Sequence, residues 1–480
     1  MRFYLGEQMT YPTIIQGGMG AGVSNWQLAQ AVSRTGQLGV ISGTALDTIF
    51  SRRLQLGDPG GHMQRAMGHF PDTGIVDRVL ARYYRPADNS GPRPFKTPPM
   101  ISLDTDQQTM ELTVVANFAE VFLAKEGHDN PVGTNLLEKV QLPNMFALYG
   151  AMLAGVDYVI MGAGIPREIP GVLDLLADHQ EVSLKIAVGA LNGNRFHATF
   201  DPKAFLQKKM PPLKRPRFLS IVSSVLLATM MAKKANGRVD GFVVELPEAG
   251  GHNAPPRGKL VLNDLGEPVY GERDAIELEK IKALGLPFWL AGSWGTPEKL
   301  KEAIALGAKG IQIGTVLAFS EESGFTEDIK KLAIENIRKG TATVFTDPSA
   351  SPTGFPFKVL SLAGSLSEDE TYQERSRKCD LGYLRHLYEK PDGKIGYRCP
   401  AEPKSVFVAK GGNADDIKGK KCLCNALMSN IGLGQMRKSG YVEKNLVTSG
   451  DGIMTVGRFL KDRASYKTAD VINWLLEGAA

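Results

Sequence analysis

The sequence predicts an α/β fold of repeated strand–helix units, of the kind that closes into a barrel, followed by a C-terminal extension. Three observations carry this. Residues 286–295 (LPFWLAGSWG) and 309–315 (KGIQIGT) are short apolar runs that stop at Gly plus Ser or Thr, and residues 296–307 (TPEKLKEAIALG) between them read as a helix. Thr296 suits the N-cap, Pro297 the first helical position and Gly307 the C-cap. The same unit opens the chain. Residues 12–18 run into glycines, Ser24 is positioned to cap a helix over residues 25–34 (apolar at Trp26, Leu28, Ala29, Ala31 and Val32), Gly36 stops it, and residues 38–42 form the next strand. Third, 480 residues exceed one average domain and suit a barrel of about 250 to 400 residues with an appendage.

The remaining elements follow in order. Residues 44–98 read as helical or irregular, with a Pro-rich loop at 87–99. Further strands are expected at 100–103, 132–137, 158–162, 184–189, 218–223, 242–245, 288–291 and 310–313, which makes ten with the first two. An eight-stranded barrel leaves two outside: one of 100–103 and 132–137, and also 184–189. The loop over 192–217 is then an insertion placed to cover the mouth of the site. The repeat pattern ends at residues 351–359 (SPTGFPFKV), so the barrel is assigned to 1–350 and the extension to 351–480. Residues 442–478 read as helical, with an apolar stripe at Val471, Ile472, Leu475 and Leu476.

Composition excludes several classes. With 43% hydrophobic and 22% charged residues the chain is an ordinary globular protein. A net charge of +5 spread over both signs gives no nucleic-acid footprint, and the basic run at 208–217 (KKMPPLKRPR) reads as a solvated loop. No stretch reaches the roughly 18 apolar residues that span a membrane, and residues 1–12 lack a signal-peptide core, so a cytoplasmic location is expected. Four cysteines are too few for a disulfide scaffold.

The chemistry is concentrated at residues 243–258 (VVELPEAGGHNAPPRG). A strand ending in Glu248, Ala249, Gly250, Gly251 and His252 brings bare backbone and an imidazole to one place. Gly-Ser and Gly-Thr at the ends of the last two strands suit a phosphate held by backbone N–H groups.

With these pieces in order, the chain resembles the nitronate monooxygenase family, formerly the 2-nitropropane dioxygenases. The resemblance rests on IIQGGMG at 14–20, VVELPEAGGH at 243–252, LAGSWG at 290–295 and IQIGT at 311–315, and covers roughly residues 10–345. It implies a TIM (β/α)8 barrel with insertions and a C-terminal extension, holding FMN. It also implies that Gly17, Gly18, Met19 and Gly20 lie against the flavin, Gly18 standing where the family more often has proline. Glu248, Gly250, Gly251, Ala291, Gly292, Ser293, Gln312, Gly314 and Thr315 join them around the cofactor. Asn135 and Gln141 are candidates for the ring edge, Lys139 for the side where reduced-flavin charge collects, and Gly162, Gly164, Ser223 and Ser224 for further strand-end contacts. His252 is the expected catalytic residue, taking a proton or donating a hydrogen bond, with Glu248 either orienting it or solvated. The other histidines, His62, His69, His128, His179, His197 and His386, lack such a setting.

The leading expected activity is oxidative denitrification of alkyl nitronates with O2. The alternatives are an enoyl-thioester reductase using NAD(P)H, because the same barrel type serves both chemistries, and a non-catalytic flavoprotein binding module. Cys379, Cys399, Cys422 and Cys424 fall within one segment and could hold zinc or an iron–sulfur cluster, although one Cys-x-Cys and two singletons match neither usual spacing; four reduced thiols are the competing expectation.

Overall fold

The structure, a computed structural model, describes residues 11–87, 91, 93–189 and 196–479. The signal-peptide reading at residues 1–10 and parts of the two loops expected at 87–99 and 192–217 lie outside the described residues.

Eight parallel strands form one sheet: β1 (Ile14–Gln16), β2 (Gly39–Ser42), β3 (Val132–Leu137), β4 (Tyr158–Gly162), β5 (Arg217–Val222), β6 (Gly241–Glu245), β7 (Phe288–Ala291) and β8 (Gly310–Ile313). β8 pairs with β1, Ile311 opposite Ile14. The ring closes between β1 and the residue before β2: Ile15 bridges Leu38, whose N–H donates to Ile14 O at 3.1 Å. The chain is a TIM barrel. Ile15, Val40, Ile160, Leu219, Val243 and Trp289 are buried together in its interior, and the Trp289 indole N–H donates to Pro12 O at 2.7 Å. Side chains of opposite parity on the same strands (Ile14, Ile41, Val159, Phe218, Phe242, Phe288, Ile311) pack outward under the helices.

Residues 100–103 form no strand, and the strand expected at 184–189 is Val182–Lys185, paired antiparallel with His197–Phe200 outside the barrel. Its alternating burial marks a surface hairpin: Val182 and Leu184 face in, Ser183 and Lys185 out. Asn25, not Ser24, caps the first helix, Trp26–Arg34: its side chain accepts from Leu28 N at 2.8 Å. The 19-residue helix Gln107–Lys125 went unread because it is apolar on nearly every face, so it has no periodic stripe to detect. The basic run at 208–217 is more than a solvated loop. Arg215 pairs with Asp174 at 2.8 Å and Asp240 at 2.5 Å, and Lys214 with Asp157 at 2.9 Å.

The segment after residue 350 packs into the same apolar core as the barrel. Leu360, Leu381, Met428, Val447, Phe459 and Tyr466 are buried there. The helical reading of 442–478 fails for its first part: helix begins at Asp451–Thr455 and continues as Val456–Leu460 and Thr468–Glu477. On the last of these Val471, Ile472 and Leu475 are fully buried, while Leu476 is partly so. This helix packs against Trp26–Arg34 and Pro297–Ala305 and so fills the outer ring between the first and seventh units. Residues 447–450 carry no regular secondary structure, and they matter for the site.

Candidate active site

The C-terminal ends of the barrel strands surround a narrow slot of about 230 Å³ and, beside it, a larger chamber of about 950 Å³. Ala163, Ile221, Glu245 and His252 line both, so these four side chains stand where the two meet. This is the end of the barrel at which strand-to-helix loops converge.

The slot is lined by Gly17, Gly18, Met19, Gly20, Asn135, Gly162, Glu248, Gly250, Gly251, Ala291, Gly292, Ser293, Gln312, Gly314 and Thr315, all expected from the sequence. Lys139, Gln141, Gly164 and Ser223 line the chamber instead. The Gln141 amide is taken up in bracing the surface hairpin, accepting from Ala187 N at 2.9 Å and donating to Glu138 Oε1 at 2.8 Å. The Lys139 ammonium lies 5.6 Å from the Phe355 ring centroid. Ser224 caps the helix Val225–Lys234, accepting from Leu227 N at 3.1 Å.

Glycine at position 18 has a structural reason besides the expected contact with the flavin. A Cβ there would lie 2.3 Å from Asn135 Cβ, so Gly18 is required by the wall behind the turn. Ser24 holds that turn: its hydroxyl donates to Gly17 O at 2.8 Å and accepts from Met19 N at 3.1 Å.

At the other end of the slot the chain after residue 350 closes over the β7 and β8 ends. Gly450 N donates to Thr315 Oγ1 at 2.9 Å, Asp451 N to Glu248 O at 3.1 Å, and Gly251 N to Thr448 Oγ1 at 2.8 Å. Sequence reading missed Thr448, Ser449, Gly450 and Gly452, because nothing local marks a run 130 residues downstream as facing a strand end.

Two observations test whether the slot suits FMN. The Gln312 amide nitrogen is buried without a hydrogen-bond partner, and Gln312 lines the slot. The N–H groups of Ser293, Trp294 and Gly295 meet no protein acceptor among the described residues. Unpaired donors at strand ends fit a ligand rich in carbonyl and phosphate oxygens.

His252 is held from the extension. Its Nε2 lies 2.7 Å from Ser351 Oγ, its ring meets Phe357 edge-on at 4.9 Å, and its backbone bridges Phe357. Neighbouring backbone bonds pin the same loop: Asn253 N donates to Pro356 O and Lys358 N to Gly251 O, both at 2.9 Å. Ser351 is therefore the orienting group, and no Glu248–His252 hydrogen bond forms among the described residues. Burial pushes the His252 pKa down to about 4, which keeps the ring neutral at working pH.

Glu245, the last residue of β6, is the group sequence reading passed over. Its carboxyl has no hydrogen bond or ion pair among the described residues and opens on both cavities. Burial raises its pKa to about 7. A solitary carboxyl beside a neutral imidazole is an acid–base pair with its two members pushed apart. His386, set aside in the sequence, also lines the chamber; burial, then the neighbouring Arg398 and Lys139, lower its pKa.

The four cysteines border one void of about 10 Å³. Among the described residues, however, no three His, Cys, Asp or Glu side chains are arranged to hold a metal, so the expected metal centre is not formed. Burial raises the Cys422 and Cys424 thiols, and Cys399 is raised chiefly by its bond with Cys379, then by burial. Only Cys379 is lowered, through that same bond.

Residues 203–352 match the nitronate monooxygenase family, which bears out the resemblance over a stretch holding three of its four motifs. A probable nitronate monooxygenase of Staphylococcus haemolyticus is 32% identical over 110 residues; the match spans 23% of this chain and 29% of that relative's length. Among solved structures, FabK from Thermotoga maritima aligns at TM-score 0.48 and 16% identity, covering 98% of this chain and 93% of that one. A nitroalkane oxidase from Streptomyces ansochromogenes aligns at 0.45 and 14%, covering 98% and 96%. The enoyl reductase domain of MlnA from Bacillus amyloliquefaciens aligns at 0.48 and 12%, covering 98% and 94%. No helix among the described residues is long and apolar enough to cross a membrane.

Proposed function

We propose that this chain is a flavin-dependent oxidoreductase that binds FMN in the slot and reduces the double bond of a long α,β-unsaturated thioester at the expense of NAD(P)H. The observation that carries the substrate class is the chamber. About 950 Å³ beside the slot is at the upper end of what ligand pockets offer and far more than a short nitronate fills. Nitronate oxidation with O2 is the second reading, favoured by the family match over residues 203–352.

When bound, the flavin would pass an electron pair from the nicotinamide to the substrate. The protein's own groups supply the rest. Neutral His252, fixed by Ser351, is suited to donate a hydrogen bond to the thioester carbonyl. Protonated Glu245 is suited to deliver the proton that completes the saturated carbon. Thr448, Ser449, Gly450 and Gly452 wall the slot, and Ile186, Ala187 and Gly189, just beyond the strand Val182–Lys185, wall the chamber.

Two outcomes are expected. Denatured protein should release FMN, identified by chromatography. Anaerobic NADPH should then bleach the bound flavin, and an enoyl thioester should restore its colour in stoichiometric amount. Recovery of FAD would reject the cofactor assignment, and bleaching by an alkyl nitronate but not by NADPH, with the colour returned by O2 and not by an enoyl thioester, would reject the reading in favour of the second.

Gly450→Ala tests the cofactor end separately. The added Cβ would lie 2.8 Å from Glu248 O and 3.0 Å from Thr315 Oγ1, and backbone cannot swing away as a side-chain tip can. Overpacking of this kind costs about 1–3 kcal/mol. It should appear as roughly tenfold or more weaker FMN binding in a fluorescence titration.

A further inference from the structure

The chamber carries cations that the proposed reaction does not use. Lys139, Arg257 and Arg385 all line it, and among the described residues none has a carboxylate within ion-pair distance. They come from three separate parts of the chain: the loop after β3, the loop after His252, and the extension.

Two of them are fixed in place without being neutralised. Arg257 donates to Arg273 O at 2.7 Å and Ser223 O at 2.9 Å. Arg385 donates to Gly382 O at 3.0 Å and Ile101 O at 2.7 Å, and its guanidinium lies 4.5 Å from the Tyr397 ring centroid. Neutral carbonyls set the direction of each guanidinium, and the nearby Asp274 carboxylate accepts from Arg257 N at 2.8 Å without forming an ion pair with the guanidinium among the described residues. Lys139 has the Phe355 face at 5.6 Å, and the same Phe355 ring stands 6.4 Å from the His252 ring. Lys139 is therefore placed beside the reacting end of the site. Arg385 is half-buried and Lys139 and Arg257 are solvent-exposed, so an anion entering the chamber meets three accessible cations. Of the carboxyls that face the same space, Glu138 is engaged by Gln141, its pKa raised by burial and lowered in part by Lys139, and Glu245 is raised by burial to about 7; neither forms an ion pair with the three cations among the described residues.

We infer that Lys139, Arg257 and Arg385 form a subsite in the chamber for a phosphate-bearing ligand. The inference rests on the reading of the chamber as the substrate site. The phosphate could belong to the arm that carries the thioester or to the nicotinamide cosubstrate. Arginine forks and a lysine point charge are both suited to phosphate oxygens, with charge-assisted bonds stronger than neutral ones.

The test uses the full chain loaded with flavin: 4′-phosphopantetheine against pantetheine is titrated by flavin absorbance, and NADPH against NADH is compared anaerobically by the concentration at which flavin reduction reaches half its maximal rate. In at least one pair the form with the extra phosphate should bind about tenfold or more tighter. That preference should shrink toward unity in Lys139→Gln and Arg257→Gln, while binding of the partner lacking the phosphate changes little. A preference confined to the pantetheine pair assigns the phosphate to the thioester arm, and one confined to the nicotinamide pair assigns it to the dinucleotide. Ratios near one in both pairs overturn the subsite, as does a preference that survives in both variants. Arg385→Gln is not relied on, because Arg385 also ties the extension to Ile101. Failure of the underlying flavin reading would show differently, as protein that takes up no flavin.

Discussion

Replacing His252 with alanine is expected to leave FMN bound and to lower kcat/KM by about 10²-fold or more. The two effects separate because of where the side chain stands. In the proposed FMN site the phosphate falls to the slot end lined by Ser293, Thr315 and Gly450, whereas His252 sits at the junction with the chamber. Its role is further narrowed by magnitude. A ring whose pKa is held at about 4 by burial is a poor proton acceptor near pH 7, since a general base works best when its pKa lies near the operating pH. As a neutral hydrogen-bond donor it loses nothing by that shift, provided Ser351 fixes the tautomer. If the Ser351 hydroxyl donates to Nε2 across their 2.7 Å contact, the ring proton is on Nδ1.

Ser351→Ala should accordingly give a smaller loss, about fivefold for one hydrogen bond of roughly 1 kcal/mol, seen in kcat more than in KM. The measurement is steady-state kinetics on protein whose flavin content and circular dichroism match the parent. Full turnover in a correctly folded His252→Ala protein would remove the residue from the mechanism.

Folded-state linkage gives His252 a second signature. With the folded pKa near 4 and the unfolded value near 6.5, the unfolded chain binds the extra proton first. This residue's contribution to stability is therefore whole above about pH 6.5 and is lost as pH falls toward 4.

How much of this was legible in the sequence depends on whether the determinant was local. β7, its helix and β8 were readable because capping and strand ends are written in adjacent residues: Thr296 does cap Pro297–Ala305, and Gly307 does adopt a positive φ of 91°. The glycine-rich slot was readable because its residues fall at strand ends, which topology alone brings together. What escaped was long-range. Ser351 orients His252 from 99 residues away, and Gly450 reaches Thr315 from 135 residues away. Ser24 looked like a helix cap and instead braces the turn at Gly17 and Met19, because Asn25 takes the cap one residue later. The cysteines show the converse error. Proximity in sequence did bring four thiols to one void, but among the described residues no three His, Cys, Asp or Glu side chains are arranged to hold a metal.

Glu245→Gln is the second large expected effect, and its sign discriminates between the two substrate readings. Glu245 ends β6 with its carboxyl open to both cavities and no protein partner, and its pKa is raised to about 7 by desolvation. The carboxyls and cations that share its surroundings are Glu248, Arg257 and Asp274, together with His252 and Tyr270, which are neutral near pH 7. If it delivers the proton in double-bond reduction, kcat/KM of the wild type should be level below pH 7 and fall above it, as the carboxyl loses its proton. Glutamine cannot donate a carboxyl proton, so the variant should lose about 10²-fold at pH 6 and show no inflection near 7. If the residue instead accepts a proton during nitronate chemistry, the wild-type profile must rise through pH 7. The same group should be visible without substrate. Between the unfolded pKa of 4.5 and the folded value of about 7 the native state holds a proton that the unfolded state has lost, so stability falls as pH rises across that window. Glu245→Gln should flatten that slope and melt higher than the parent at pH 8, because an amide needs no charge to be buried. A melting curve with the same pH dependence in both proteins would show that the carboxyl titrates as an ordinary exposed glutamate, and the proton-delivery role would fall with it.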